Sequence, residues 1–501
     1  MTKLSVVVPF YNVGQYLEEC LDSLARQTLT DFEVIMVDDG STDDSALIAK
    51  AHAGRDRRFR LVQQENQGLG PARNSGAREA TGEYLAFADS DDVIPDDAYE
   101  LMVGSLERTG SDFASGNVLR LEGDVTNQSW LHRGLRKSPA EGTHVTRNPE
   151  LLRDRTAWNK VFRRSFWDTH GFGFPAGWYE DSPVTIRAHV LATGVDVIGE
   201  PVYHWRRRED SISEGRADAA NLDARITVMR GVRDFLVEQA PALVDPYDSI
   251  VLDIDLKILA RSLPDIPEDR QDVLLDHAAE LLGSMSAQVR AARPPAERLG
   301  LTLMAQGKVD ELHQVLNDQY LHGGIKAVRQ DDGRWYADYD FLEEPLDLTG
   351  ELKPLAKVDE AAWTAAALKI KGRAHFAGIP IEGQKVQVWL RAPGRLGPAV
   401  RAMVKIDRTG PEFTAEIPLR RLRLLHRLHQ GNWKLIVRVS VEGLTRKHPF
   451  GTTAGVLHDI PVECELSQRL HARLIGGENR FLVRLGPPAQ PVVEADPADI
   501  A

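Results

Sequence analysis

Over the first hundred residues, short apolar runs alternate with stretches of helical period. Leu4 to Phe10, Phe32 to Val37, Phe59 to Gln63 and Tyr84 to Ala88 are rich in Val, Ile and Phe and are apolar at consecutive positions, the pattern of strands covered on both faces. Between the first two runs, Tyr16, Leu17, Cys20, Leu21 and Leu24 recur at helical spacing. This alternation predicts an α/β domain on an open, Rossmann-like, mostly parallel sheet with helices on both sides. Residues 150 to about 213 mix helix and strand and complete that domain, taken as 1–215.

From 216 to 330, segments such as VMRGVRDFLVEQ, SIVLDIDLKILARSL and VLLDHAAELLGSM are helical by period. A linker over 331–360 leads to short alternating runs, among them KVQVWLRAP and NWKLIVRVSVEG, separated by Gly and Pro. They predict a β-sandwich-like domain over 361–486. The proline-rich end, 487–501, reads as a disordered tail.

Ligands of open parallel sheets bind beyond the carboxyl ends of the strands, and there the acids of this chain collect. Val37 runs into Asp38-Asp39-Gly40-Ser41, and Ala88 into Asp89-Ser90-Asp91-Asp92. In an extended strand, residues two apart face the same way, which would put Asp89 and Asp91 on one side with Ser90 between them. Such a pair suits a divalent metal, Mn²⁺ or Mg²⁺, that keeps one or two carboxylates and fills its shell with water and phosphate oxygens. Read alone, each cluster is also ordinary turn and helix-cap chemistry. Two acidic strand ends facing one crevice favour a polar pocket of nucleoside size. ENQGLGPARNSGA offers glycines and Pro71 at a helix start, but it is neither the dinucleotide fingerprint nor the Lys-bearing phosphate loop. Asn66 and Arg73 within it gain meaning only in combination.

A length of 501 residues predicts two or three domains. The formal net charge of −13 argues against a nucleic-acid partner. The stretch from Arg391 to His448 is nonetheless basic and asks for an anionic partner or surface. Within it, Leu419, Leu422, Leu425 and Leu428 at three-residue spacing fit either a short membrane-surface turn or a loop capping the sandwich core. No segment reaches the roughly 18 apolar residues of a spanning helix, and Cys20 and Cys464 make no ligand spacing. A cytoplasmic location follows as the expectation, with peripheral contact at the inner face of the cell membrane as an option.

LSVVVPFYN, VDDGSTDDS, NQGLGPARNSGA and FADSDD, in this order, resemble family 2 glycosyltransferases of the GT-A fold over roughly residues 3–213. The resemblance implies a nucleotide-sugar donor, by family expectation a UDP-sugar, and a divalent metal. It implies that Pro9, Tyr11, Asp39, Asn66 and Arg73 frame the base and ribose, that Asp89 and Ser90 lie near ribose or metal, and that Asp91, with Asp89, binds the metal. In GWYEDSPV it makes Asp181 the general base and Glu180 its support, although Pro183 and the two acids also suit a plain helix start. In YHWRRREDSIS it brings Arg206, Arg208, Ser211 and Ser213 over the diphosphate, and it lines the sugar end with Trp158-Asn159-Lys160. The reaction implied is a single displacement with inversion.

The succession of catalytic, helical and β regions is similar to that of bacterial glycosyltransferases that decorate wall teichoic acid. That similarity implies an acceptor that is a polyhydroxyl, anionic glycopolymer, and a homo-oligomer, with a trimer among the options. Processive relatives carry membrane spans and a Gln-x-x-Arg-Trp motif; their absence from this sequence favours single additions. The alternatives are a transferase for another surface polysaccharide or lipid-linked glycan, or a non-catalytic glycan-binding scaffold.

Overall fold

The computed structural model describes residues 2–123, 125–207, 218–321, 324–391, 399–401, 403–406, 411–422, 431–452, 463–467, 470–477 and 480–486. The expected tail 487–501, and Arg208, Ser211, Ser213, Leu425 and Leu428, lie outside them. The chain divides into two compact units: Met1–Arg293 with Leu301–Val309, and Pro294–Gly300 with Asp310–Ala501.

The first unit opens with β1 (Leu4–Phe10), α1 (Gly14–Ala25), β2 (Phe32–Asp38), α2 (Ser45–Arg55), β3 (Phe59–Gln63), α3 (Leu69–Glu79), β4 (Tyr84–Phe87) and α4 (Ala98–Thr109). β5 (Phe113–Glu122), β6 (Val125–Gln128), α5 (Arg133–Lys137), β7 (Ala140–Thr143), β8 (Lys160–Arg163), α6 (Arg164–Thr169), α7 (Asp181–Leu191) and β9 (Val195–Arg206) follow. The sheet runs β3-β2-β1-β4-β8-β5-β9-β7, with β6 beside β5. It is parallel from β3 through β4, becomes antiparallel at β8, and pairs β5 with β9 in parallel.

Strand side chains alternate between two cores, one on each face. Val6, Val8, Val34, Met36, Tyr84 and Ala86 join Leu17, Leu21 and Leu24 of α1 on one side. Val7, Ile35, Val37, Leu85 and Phe87 join Phe113, Phe162 and Trp167 on the other. Burial on both faces explains why β1, β2 and β4 carry apolar residues at consecutive positions, apart from Ser5, Glu33 and the terminal Asp38. The register pairs Phe10 with Asp38 and Val7 with Phe87, so β1, β2 and β4 all open at one rim.

After β9 the same unit continues into α8 (Ala219–Gln239), α9 (Val244–Asp253), α10 (Asp255–Ser262) and α11 (Glu268–Ser284). α8 packs against both α7 and α11. Among the described residues, no helix is long and apolar enough to cross a membrane.

The second unit holds the hairpin Ala327–Arg329/Trp335–Ala337 and two larger sheets. One is built around Pro354–Trp363, Ala367–Phe376 and Glu412–Pro418, the other around Lys385–Arg391, Gly431–Val441 and Arg480–Gly486. Val386, Val388 and Leu390 are buried and alternate with more exposed neighbours, the half-buried pattern that makes antiparallel strands legible. Phe413 of one sheet meets Phe450 at 5.3 Å between ring centroids. Leu419 and Leu422 are buried, the core-capping alternative for that leucine repeat.

Helix α3 lies against β1 with no room for a side chain at Gly76: a Cβ there would collide with Val7 Cγ1 and press on Val37. Gly104, inside α4, faces open space. Gly76→Ala should therefore cost about 1–3 kcal/mol by overpacking. Gly104→Ala should be neutral or stabilise by about 1 kcal/mol through helix propensity. Urea unfolding of both variants checks the contrast.

Candidate active site

At the rim, the loops after β1 and β2 are held together by hydrogen bonds. Asn12 adopts a left-handed φ of 51° and its Oδ1 accepts the Thr42 N–H at 2.8 Å. Ser45 Oγ accepts the Val13 N–H at 2.9 Å and Asp43 Oδ2 the Gly14 N–H at 3.0 Å. Tyr11, just beyond β1, is 47% exposed and faces solvent, whereas Pro9 is buried within the strand.

Asp39 is buried, and both its oxygens are engaged by the segment leading into α3. Oδ1 accepts from Gln64 Nε2 at 2.8 Å and the Gln67 N–H at 3.0 Å, and Oδ2 accepts the Gly68 N–H at 2.8 Å. It thereby fixes the entrance to α3, with Asn66 left exposed at the rim. Gly68, at φ 91°, makes the turn that a side chain would strain.

Helix α3 carries Arg73 into the sheet end, where it is 1% exposed. Nη1 donates to Glu180 Oε1 at 2.5 Å and to Asp181 Oδ1 at 2.6 Å; Nη2 donates to Asp89 Oδ1 at 2.6 Å. The Phe174 ring lies 5.2 Å beneath the guanidinium. A residue expected at base and ribose is thus the hub on which three of the expected acids converge.

The acidic run after β4 is not extended. It turns, with the Asp92 N–H donating to the Asp89 carbonyl at 3.2 Å, so the strand alternation expected for Asp89 and Asp91 does not apply. The turn is stitched to β9. Tyr203 Oη accepts the Asp89 N–H at 3.0 Å, and Val93 and His204 exchange backbone bonds. Arg206 donates its N–H to Asp92 Oδ1 at 2.7 Å, its Nε to the Asp91 carbonyl at 2.8 Å and Nη2 to Glu19 at 2.6 Å. Ser90 and Asp92 are buried. Sequence reasoning passed over Asp92, Tyr203 and Glu19; in the case of Asp92, nothing in a run of acids says which one the turn buries.

Trp158 stacks on Tyr203 at 4.3 Å and is 6% exposed. Asn159 is buried beside it, and Lys160 Nζ pairs with buried Asp154 at 2.7 Å. All three residues of the segment expected at the sugar end are thus buried, and Trp158 packs on the tyrosine that holds the acidic turn.

Glu180 stands at the N-cap of α7 and Asp181 in its first turn, where the helix dipole favours negative charge. Asp181 Oδ2 also accepts the Ala157 N–H at 3.0 Å. Burial, then repulsion from Asp181, pushes Glu180 up to about 8. Burial would raise Asp181 too, but the Arg73 charge, a hydrogen bond from Glu180 and the Ala157 N–H hold it below its ordinary value. The pair therefore divides into one carboxyl that keeps its proton near neutrality and one that stays ionised. Burial, against the pull of Arg73, lifts Asp89 to about 6, and burial, with Asp91 and Asp89 close by, lifts Asp92 well above the ordinary carboxylate value.

A sheet covered on both faces whose loops gather at the carboxyl rim places these side chains where open α/β sheets bind their ligands. Residues 5–171 match the family model described as glycosyl transferase family 2. Glycosyltransferase GlyG of Streptococcus pneumoniae is 30% identical over 227 residues, 43% of this chain and 74% of GlyG. Putative glycosyltransferase EpsH of Bacillus subtilis is 36% identical over 221 residues, 42% of this chain. The chain spans 62% of the length of EpsH and 63% of that of EpsJ, a second relative from the same organism. The chain belongs to glycosyl transferase family 2.

Among solved structures, S. aureus TarS superposes with a TM-score of 0.64 at 18% identity, covering 97% of this chain and 86% of TarS. TarS 1–349 in complex with UDP-GlcNAc gives 0.55 at 21%, covering 69% of this chain and 99% of that one. The fold is therefore TarS-like.

A carboxyl whose folded pKa is raised binds its proton more tightly when folded, so its contribution is full below the unfolded value and is lost as pH rises to the folded one. For Glu180 that window runs from 4.5 to about 8. Glu180→Gln, which cannot ionise, should lack this loss. Its Tm relative to the parent chain should rise steadily from pH 6 to pH 8; a flat difference would rule the assignment out.

Proposed function

We propose that the chain moves a sugar from a UDP-sugar to a hydroxyl of an anionic surface glycopolymer, with inversion at the anomeric carbon, on the cytoplasmic side of the membrane. The observation that carries this reading is the convergence of Asp89, Glu180 and Asp181 on buried Arg73 at the sheet rim, in a chain of this family. The co-crystallised donor of the TarS fragment supports uridine as the base. The basic residues between Arg391 and His448 support an anionic acceptor.

In this reading Asp181 takes the acceptor proton as the hydroxyl attacks. Two features suit it to the role of base. It stays ionised, and the Ala157 N–H and Arg73 fix its direction. Glu180, holding a proton, keeps a second negative charge from crowding the base. Asp39 and the loop it holds form the floor for the nucleoside, with Tyr11 and Asn66 at its edge. Arg206 anchors the acidic turn through the Asp91 carbonyl and the Asp92 carboxylate.

The residues fit a divalent cation. Asp89, Asp91 and Asp92 crowd one turn, and their mutual repulsion contributes to the raised values of Asp89 and Asp92. Among the described residues no three His, Cys, Asp or Glu side chains converge as a ready-made cage. In this reading the ion would take one or two carboxylates, Asp91 with Asp89, and complete its shell with substrate oxygens. When bound, it would offset the charge that develops on the leaving diphosphate.

Melting temperatures with nucleoside diphosphates, each with and without Mn²⁺, test the donor reading by mass action. UDP with Mn²⁺ should raise the Tm, and Asp91→Asn should abolish that rise. Asp181→Asn should keep the rise but lower transfer from UDP-sugars by about 10²- to 10⁴-fold. The absence of a metal-dependent shift with every nucleotide would move the glycan-binding scaffold to first place.

A further inference from the structure

Tyr179, immediately before the two acids, has a left-handed φ of 60°, a conformation that a bulky residue adopts only when its surroundings impose it. Those surroundings come from α8. Tyr179 Oη donates to Asn221 Oδ1 at 2.5 Å and accepts from Arg225 Nη2 at 3.0 Å. The Arg225 guanidinium also sits 4.3 Å from the Tyr179 ring centroid. Arg225 Nη1 in turn donates to Asp255 Oδ1 at 2.8 Å.

Asp255, 3% exposed at the start of α10, has a second partner: Arg155 donates Nη1 to its Oδ2 at 2.9 Å and Nη2 to its Oδ1 at 3.3 Å. The Arg155 carbonyl accepts from Thr185 Oγ1 of α7 at 3.0 Å. Two residues further on, the Ala157 N–H holds Asp181 Oδ2. One buried carboxylate therefore reaches both sides of the Asp181 cradle, through Arg225 and Tyr179 on one side and through Arg155 on the other.

We propose that Asp255, acting through Arg225 and Arg155, is a positioning residue for Glu180 and Asp181, so that the helices after the sheet complete the active site. None of Asp255, Arg225 and Tyr179 need touch substrate. They set the backbone from which the base projects, at distances where an error of about 1 Å costs about 10²-fold in rate. The inference rests on the transferase reading for its kinetic consequence, and on the geometry alone for its structural one.

The test uses the full chain with Tyr179→Phe, which removes only the hydroxyl, Arg225→Ala, Arg225→Lys and Asp255→Asn. Two quantities are measured: kcat for transfer against the Kd for UDP, and amide hydrogen exchange across residues 176–182 without nucleotide. The expected result is a roughly ten- to hundredfold fall in kcat for Tyr179→Phe and Arg225→Ala with Kd held within about twofold. Arg225→Lys should recover part of the loss, and exchange across 176–182 should quicken in each defective variant. Unchanged kcat and exchange in Tyr179→Phe and Arg225→Ala would overturn the proposal, as would a loss of UDP binding in step with kcat. Should Asp255→Asn fail to fold, those two variants decide. Should the parent chain bind no nucleotide, the transferase reading fails, and the exchange measurement still decides whether Arg225 and Tyr179 set the 176–182 backbone.

Discussion

The first unit is organised around a cation that it cannot leave unpaired. A guanidinium taken out of water without partners is prohibitively costly, and Arg73 is 1% exposed. Its three carboxyl partners come from the turn after β4 and the start of α7, so closing these contacts fixes three chain segments relative to one another. The approach of α3 is set by glycines. Gly76 lets the helix lie on Val7, and a Cβ at Gly70 would strike the Pro175 carbonyl. The glycine-rich stretch thus positions Arg73 by close packing.

Charge at the rim is poised rather than neutral. One guanidinium faces Asp89, Glu180 and Asp181, and two further acids, Asp91 and Asp92, lie in the adjoining turn. Retained protons at Glu180 and the raised values at Asp89 and Asp92 take the place of missing positive charge. Arg206 is committed to Glu19 and to the acidic turn. In the proposed reading, a diphosphate entering this rim needs positive charge that Arg73 cannot supply without releasing its carboxylates, and a divalent cation held by Asp91 with Asp89 would supply it.

The first four strands were legible in the sequence almost to the residue, because covered strands carry consecutive apolar residues; β2 runs on to Asp38 rather than Val37, and β4 ends at Phe87 rather than Ala88. The gathering of the acids at the rim was legible for the same reason, since strand ends fix where loops begin. The interleaving of β8, β5 and β9 was not, because it depends on pairing between distant segments, and β7, AEGT, carries no apolar signal at all. The partners of Arg73 lie 16, 107 and 108 positions away in sequence, beyond any local pattern. The alternation expected of Asp89 and Asp91 failed because the chain turns directly after β4, closed by the Asp92 N–H to Asp89 carbonyl bond and held by the Arg206 side chain on the Asp91 carbonyl.

The helical region shows how the same constraint reaches further than periodicity can. SIVLDIDLKILARSL reads as one amphipathic helix, but the structure interrupts it at Ile254, between α9 and α10. Asp253 and Asp255 flank the interruption, and their partners Arg153 and Arg155 share one short segment. The hydrogen bonds Ile254 N–H to Ile250 carbonyl and Ile258 N–H to Ile254 carbonyl carry the helical path through the irregularity. Asp255, at the start of α10 where negative charge is favoured, also accepts from Arg225. The irregularity at Ile254 thus falls between the two acids that join the helical region to the segment holding Asp181.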